Sequence, residues 1–102
     1  MKDASVSNEI DRLLHEPARL RILVQLAAVK KADFTWLLHQ TGLTRGNLSV
    51  QMSKLSGAGV VEVNKRFLNN RPQTLYELTQ VGRRSLRRYK ESMQNILDAL
   101  PV

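Results

Sequence analysis

The sequence contains no cysteine, which excludes disulfides, thiolate metal sites and cysteine nucleophiles. Imidazole is scarce too: His15 and His39 are the two histidines. Neither has carboxylates at ligand spacing, so both are read as cap or surface residues, and no metal and no cofactor is assigned. A Ser-His-Asp set, a Glu-rich cluster and a glycine-rich phosphate loop are all missing, and the chain is not expected to be an enzyme. No apolar run approaches the roughly 20 residues needed to cross a bilayer. The opening Met1-Lys2-Asp3-Ala4-Ser5 leads into no hydrophobic signal core, so the expected compartment is the cytoplasm, with no membrane partner. Glycine and proline are few and fall at apparent element boundaries, with no repeat or low-complexity stretch between them. At 102 residues the chain is expected to form a single domain, 1–102, around one core.

Acidic residues are in short supply as well. There are 9 against 16 Lys and Arg, for a net charge of +7, which calls for a polyanionic partner. The excess is local: residues 44–90 carry ten basic and two acidic side chains, whereas residues 1–43 carry six and five. A basic surface alone could equally be a solvated face, so its position in the fold must decide.

Periodicity supplies that position. Val6, Ile10, Leu13 and Leu14 recur at helical spacing after Ser5 and Ser7, predicting a first amphipathic helix that ends near His15. Pro17 suits the first turn of a second helix, whose wide apolar face runs over Leu20, Leu23 and Ala27 with Ile22, Leu26 and Val29. Phe34, Leu37 and Leu38 mark a short third helix from about Thr35, stopped by Gly42 in a left-handed conformation. Thr44 caps a fourth, with Leu48, Met52 and Leu55 as a narrow buried stripe and Gly57-Ala58-Gly59 as its end. From Val60 the period becomes alternating, with Val61, Val63 and Phe67 opposite Glu62, Asn64 and Arg66. Asn69-Asn70 followed by Arg71-Pro72 is turn chemistry, and Thr74 to Leu78 is extended again, giving a hairpin with a basic tip. Thr79 caps a last long helix, along which Leu86, Tyr89, Met93, Ile96 and Leu100 form a seam for lengthwise packing on another helix.

The expected fold class is therefore mainly α with a small β-hairpin. Its order, two short helices joined at Gly42-Leu43 and then a basic hairpin, is that of a winged helix-turn-helix. Three segments, His15-Glu16-Pro17-Ala18-Arg19-Leu20-Arg21-Ile22-Leu23, Gly42-Leu43-Thr44-Arg45-Gly46-Asn47-Leu48-Ser49 and Leu78-Thr79-Gln80-Val81-Gly82-Arg83, resemble the ArsR/MarR-type winged-helix regulators. The likeness spans about residues 12–90 and is closest to the small, cysteine-free members. It implies a homodimer that places one recognition helix per subunit in the major groove of a palindromic double-stranded DNA site, usually as a repressor of transcription. The expected winged-helix core is 16–79, with 5–15 and 80–100 as flanking dimerisation helices. Without cysteine the chain departs from the metal-sensing branch, and a small-molecule effector stays open.

Candidate site residues follow from the architecture. In the recognition helix they are Thr44, Arg45, Gly46, Asn47, Ser49, Val50, Ser53 and Lys54, where Arg and Asn can pair with guanine and adenine edges. In the wing they are Lys65, Arg66, Asn69, Asn70 and Arg71, addressing phosphates or a narrow minor groove. Phe67 and Leu68 are expected to pack under the wing tip or against a partner subunit, and Trp36 at the edge of the core. The dimer interface is assigned to Val6, Ile10, Leu13, Leu86, Tyr89, Met93, Ile96, Leu97 and Leu100. The alternative function is a winged-helix protein-protein module or a sequence-indifferent, architectural nucleic-acid binder.

Overall fold

A computed structural model describes residues 9–102. Helix α1 (Pro17–Ala28) begins where the Glu16 carboxylate accepts from Arg19 N at 2.8 Å and Pro17 fills a position that needs no N–H. It buries Ala18, Ile22, Leu23 and Leu26. A two-residue strand, β1 (Ala32–Asp33), leads directly into α2 (Phe34–Thr41), and Asp33 caps that helix by accepting from Trp36 N at 2.7 Å. Gly42 ends α2 with φ 70° and donates its N–H to Leu38 O, the left-handed stop that the sequence implied.

Thr44 then starts α3 (Arg45–Gly57), its hydroxyl accepting from Asn47 N at 3.1 Å. The hairpin follows as β2 (Val61–Leu68) and β3 (Arg71–Leu78), and α4 (Gln80–Asp98) is capped by Thr79. The sheet is antiparallel in the order β1-β3-β2. Leu14, Ile22, Leu23, Leu26, Leu37, Leu48 and Leu55 are fully buried at the centre, with Ala32, Val61, Tyr76 and Leu78 of the sheet in the same cluster. Trp36 packs partly buried against this cluster, as expected of an edge position.

Three expectations need correction. Across Glu9–His15 there is no helix but a turn at 12–14; the rest of that predicted element, including Val6, lies outside the described residues. Asp11 is the cause, because its carboxylate accepts from Leu13 N at 3.0 Å and so offers the backbone a local alternative to helix. The second correction is β1, whose two residues are too few to show alternation. Third, Arg71 and Pro72 are strand and not turn: the turn is Asn69-Asn70 alone, with φ 52° and 63°, as a two-residue hairpin demands. Pro72 is tolerated there because it stands opposite Phe67, one pair beyond the hydrogen-bonded pair Leu68 and Arg71, so β2 asks no N–H of it. On its other side β1 pairs only with Leu75 and Tyr76.

Candidate nucleic-acid interface

Helix α3 buries one thin stripe and, half-buried Ser56 aside, exposes the rest. Leu48, Gln51, Met52 and Leu55 are buried, at the spacing of a single helix face. Arg45, Gly46, Asn47, Ser49, Val50, Ser53 and Lys54 are exposed, and so is the cap Thr44, whose side chain is engaged with the helix N-terminus. Small side chains at Gly46, Ser49 and Ser53 leave this face low enough for another surface to approach closely.

Gln51 breaks the apolar stripe and is only 8% exposed, so its amide must be satisfied within the protein. Its Oε1 accepts from Arg19 Nη1 at 2.8 Å and its Nε2 donates to Asn47 Oδ1 at 2.9 Å. Arg19 is fixed in turn by donating from Nε to Leu13 O at 2.6 Å. A hydrogen-bonded chain thus runs from α1 through the buried flank of α3 to one exposed candidate, Asn47. Sequence reasoning singled out neither Arg19 nor Gln51. The available signal was a polar residue three positions after Leu48 and four before Leu55, inside an otherwise apolar stripe.

The wing candidates divide between two faces, because strand side chains alternate. Lys65 shares a face with Val61 and Val63 and, together with Thr74, walls an open groove whose other side is Ser49, Ser53 and Ser56 of α3. Arg66 points the other way and donates from Nε to Gln73 Oε1, its cross-strand partner, at 2.8 Å. Arg71 shares that second face, above a shallow depression lined by Asp33, Thr35, Asn69 and Gln73. Asn69 and Asn70 form the tip between the two faces. Phe67 is 76% exposed and Leu68 48%, so neither packs beneath the tip within the protomer.

The proposed dimer seam is also divided. Leu86 and Tyr89 pack partly buried against the core of their own domain, as does Leu13. The Tyr89 hydroxyl lies 2.8 Å from His15 Nδ1, and partial burial followed by the Asp11 carboxylate pushes its pKa above the ordinary tyrosine value. Farther along α4, Met93 and Ile96 are half-buried and Leu97 is 54% exposed. The helix ends at Asp98, so Leu100, 51% exposed, lies just past it and not on the helical seam where the sequence reading put it; Ile10 is 40% exposed. Arg83, Arg84, Arg87, Arg88 and Lys90 are exposed near the start of the helix. Among the described residues no group of three or more His, Asp or Glu could hold a metal ion, and no helix is long and apolar enough to cross a membrane.

With this geometry in view, comparison with known proteins gives a consistent result. Residues 18–97 match a family described as winged helix DNA-binding domain. An uncharacterized protein of Methanocaldococcus jannaschii is 30% identical over 78 residues, covering 76% of this chain and 85% of that one. Among solved structures, a transcriptional regulator homologue from Pyrococcus horikoshii superimposes with a TM-score of 0.82 at 30% identity, covering 90% of this chain and 91% of that one. The transcriptional repressor CouR, bound to a 23-mer DNA duplex, shares the fold at a TM-score of 0.70 and 24% identity, covering 88% of this chain and 66% of that one.

Proposed function

The chain belongs to the winged helix DNA-binding domain family, a DNA-binding regulator and not an enzyme, and from that premise we propose that it reads a palindromic duplex site as a homodimer and represses transcription there. The observation that carries this reading is the face of α3: Arg45, Asn47, Ser49, Val50, Ser53 and Lys54 are exposed together on a helix whose opposite stripe is locked into the core. A helix so anchored is a rigid probe of the width a major groove admits, and its first residues carry donors suited to base edges. Lys65 sits across the adjoining groove, placed to follow the phosphates, while Arg66, Arg71 and the Asn69-Asn70 tip reach outward to the flanking backbone or minor groove.

That the repressor CouR, of the same fold, is held on a 23-mer DNA duplex supports double-stranded DNA as the partner and repression as the outcome. The exposed Leu97 in the last turn of α4 and Leu100 just past it support pairing with a second copy, which would set two recognition helices about 34 to 36 Å apart, on successive major grooves. For a protein that acts on DNA in this way, the compartment we propose is the cytoplasm.

Selection from a random pool of duplexes tests the reading. Enrichment of a two-fold symmetric motif is expected, with Arg45→Ala and Asn47→Ala losing about 1 to 3 kcal/mol on that motif and far less on random duplex. A pool that shows no enriched sequence contradicts it.

A further inference from the structure

Asn47 is not a free amide waiting for a base. An arginine side chain has five N–H donors and no acceptor, so whatever faces Arg19 must accept. The Gln51 atom 2.8 Å from Arg19 Nη1 is therefore its oxygen, and its NH2 group is left facing Asn47. That NH2 needs an acceptor, which turns the Asn47 oxygen inward and its own NH2 group outward. Amide orientation is usually ambiguous between oxygen and nitrogen, but here the donor-only guanidinium at the head of the chain settles the direction of every bond. The Leu13 carbonyl holds that guanidinium in place, and Gln51, 8% exposed, has no water-facing alternative.

Building on the DNA-reading function proposed above, we propose that Arg19 and Gln51 are positioning residues that set the polarity of the Asn47 amide and with it the base that Asn47 selects. With only its NH2 group turned outward, Asn47 donates and so prefers the keto oxygens, guanine O6 and thymine O4, over the amino groups that cytosine and adenine present at the same place. Pairing in bidentate fashion with adenine needs Oδ1 and Nδ2 side by side on the base, whereas Oδ1 here is turned inward to Gln51. Neither positioning residue touches DNA.

The relay makes an unusual demand of one conservative substitution. In Gln51→Glu both terminal oxygens accept, one from Arg19 and the other from Asn47, so the Asn47 amide must turn over and present its oxygen outward. The preference at the base pair read by Asn47 should then invert from keto to amino bases, cytosine at N4 or adenine at N6, by about fivefold for one hydrogen bond. Gln51→Met removes the constraint instead, and the keto preference should fall by a similar factor toward none. Asn47→Ala identifies which base pair is concerned, because there all discrimination should vanish, and adding Gln51→Glu to it should change nothing further.

The experiment is duplex selection with the full chain for wild type and these variants, each first checked for a cooperative melt. Inversion in Gln51→Glu, or relaxation in Gln51→Met if the glutamate variant does not fold, at the pair that Asn47→Ala erases supports the relay. An unchanged keto preference overturns it while leaving the DNA-reading function intact, as does an Asn47→Ala variant that weakens all duplexes equally, which would make Asn47 a phosphate contact. A wild type that enriches no motif overturns the function on which the relay rests. Proton exchange in the free protein gives a reading without DNA: the Gln51 side-chain NH2 should exchange slowly and that of Asn47 at the rate of an exposed amide, and the reverse order contradicts the assigned direction.

Discussion

Gly82, in the first turn of α4, lies against the backbone carbonyl of Val60 so closely that a Cβ at this position would collide with its oxygen. The same oxygen accepts from Thr79 N at 3.0 Å, while the Thr79 hydroxyl donates chiefly to Gly59 O at 2.6 Å, with Val60 O at 3.1 Å, and accepts from Gly82 N at 2.9 Å. One carbonyl, one cap and one missing side chain thereby lock α4 to the junction between α3 and β2. Gly82→Ala should destabilise the protein by about 1 to 3 kcal/mol, the usual cost of overpacking, despite the higher helix propensity of alanine. Urea unfolding checks this, and a variant as stable as wild type would show that the helix can slide away from Val60 freely.

Asn69 and Asn70 both adopt positive φ, and each has been given two roles, forming the turn and touching DNA. Asn70→Gly keeps the turn conformation and removes the side chain, so its melting temperature should match or exceed that of wild type, and any lost affinity then measures the contact. Asn70→Val should lose about 1 to 2 kcal/mol of stability from backbone strain. If both variants melt alike, the hairpin does not depend on a left-handed residue at position 70.

Caps and stops were the most legible part of the fold. Gly42, Thr44 and Thr79 stand where the sequence placed them, because capping is a local contest that one side chain decides. Segments governed by partners distant in the chain were not legible. Strand β1 exists only because Ala32 and Asp33 meet Tyr76 and Leu75, and the direction of Arg66 became visible only once Gln73 was set opposite it. The same limit hid Arg19 and Gln51, which are 32 positions apart and whose bond no periodicity reports. The failed helix over Glu9–His15 is a different case: the apolar spacing was there, but Asp11 offered the chain a turn, and the turn won.

Lys65 and Arg71 lie on opposite faces of the wing, so each should make its own phosphate contact, countable by salt. Replacing either by alanine should reduce the slope of log affinity against log salt by about 0.9 if it neutralises one phosphate, with thermal stability almost unchanged. Arg71→Ala should in addition relax any preference for A·T flanks if the residue enters a narrow minor groove. An Arg71→Ala protein that unfolds would instead make this arginine structural.

For assembly, Leu86 and Tyr89 pack against their own domain, so the proposed pairing of two copies through α4 would rest on the distal seam. Met93→Glu with Ile96→Glu should yield a monomer by light scattering at micromolar concentration, with greatly weakened binding to the palindromic site but residual binding to a half-site. A double variant that remains dimeric and binds normally would place the interface elsewhere, and a monomeric wild type would remove the dimer altogether.

The central claim, that α3 reads sequence, is tested most directly by one competition titration. Trp36 or a labelled duplex reports binding to the selected palindrome at fixed physiological salt, and unlabelled scrambled duplex of the same length and composition serves as the competitor. The selected duplex should bind at least about 10³-fold more tightly than the scrambled one, the lower bound for specific recognition. Equal affinities would contradict the account and leave only a basic protein that binds polyanions.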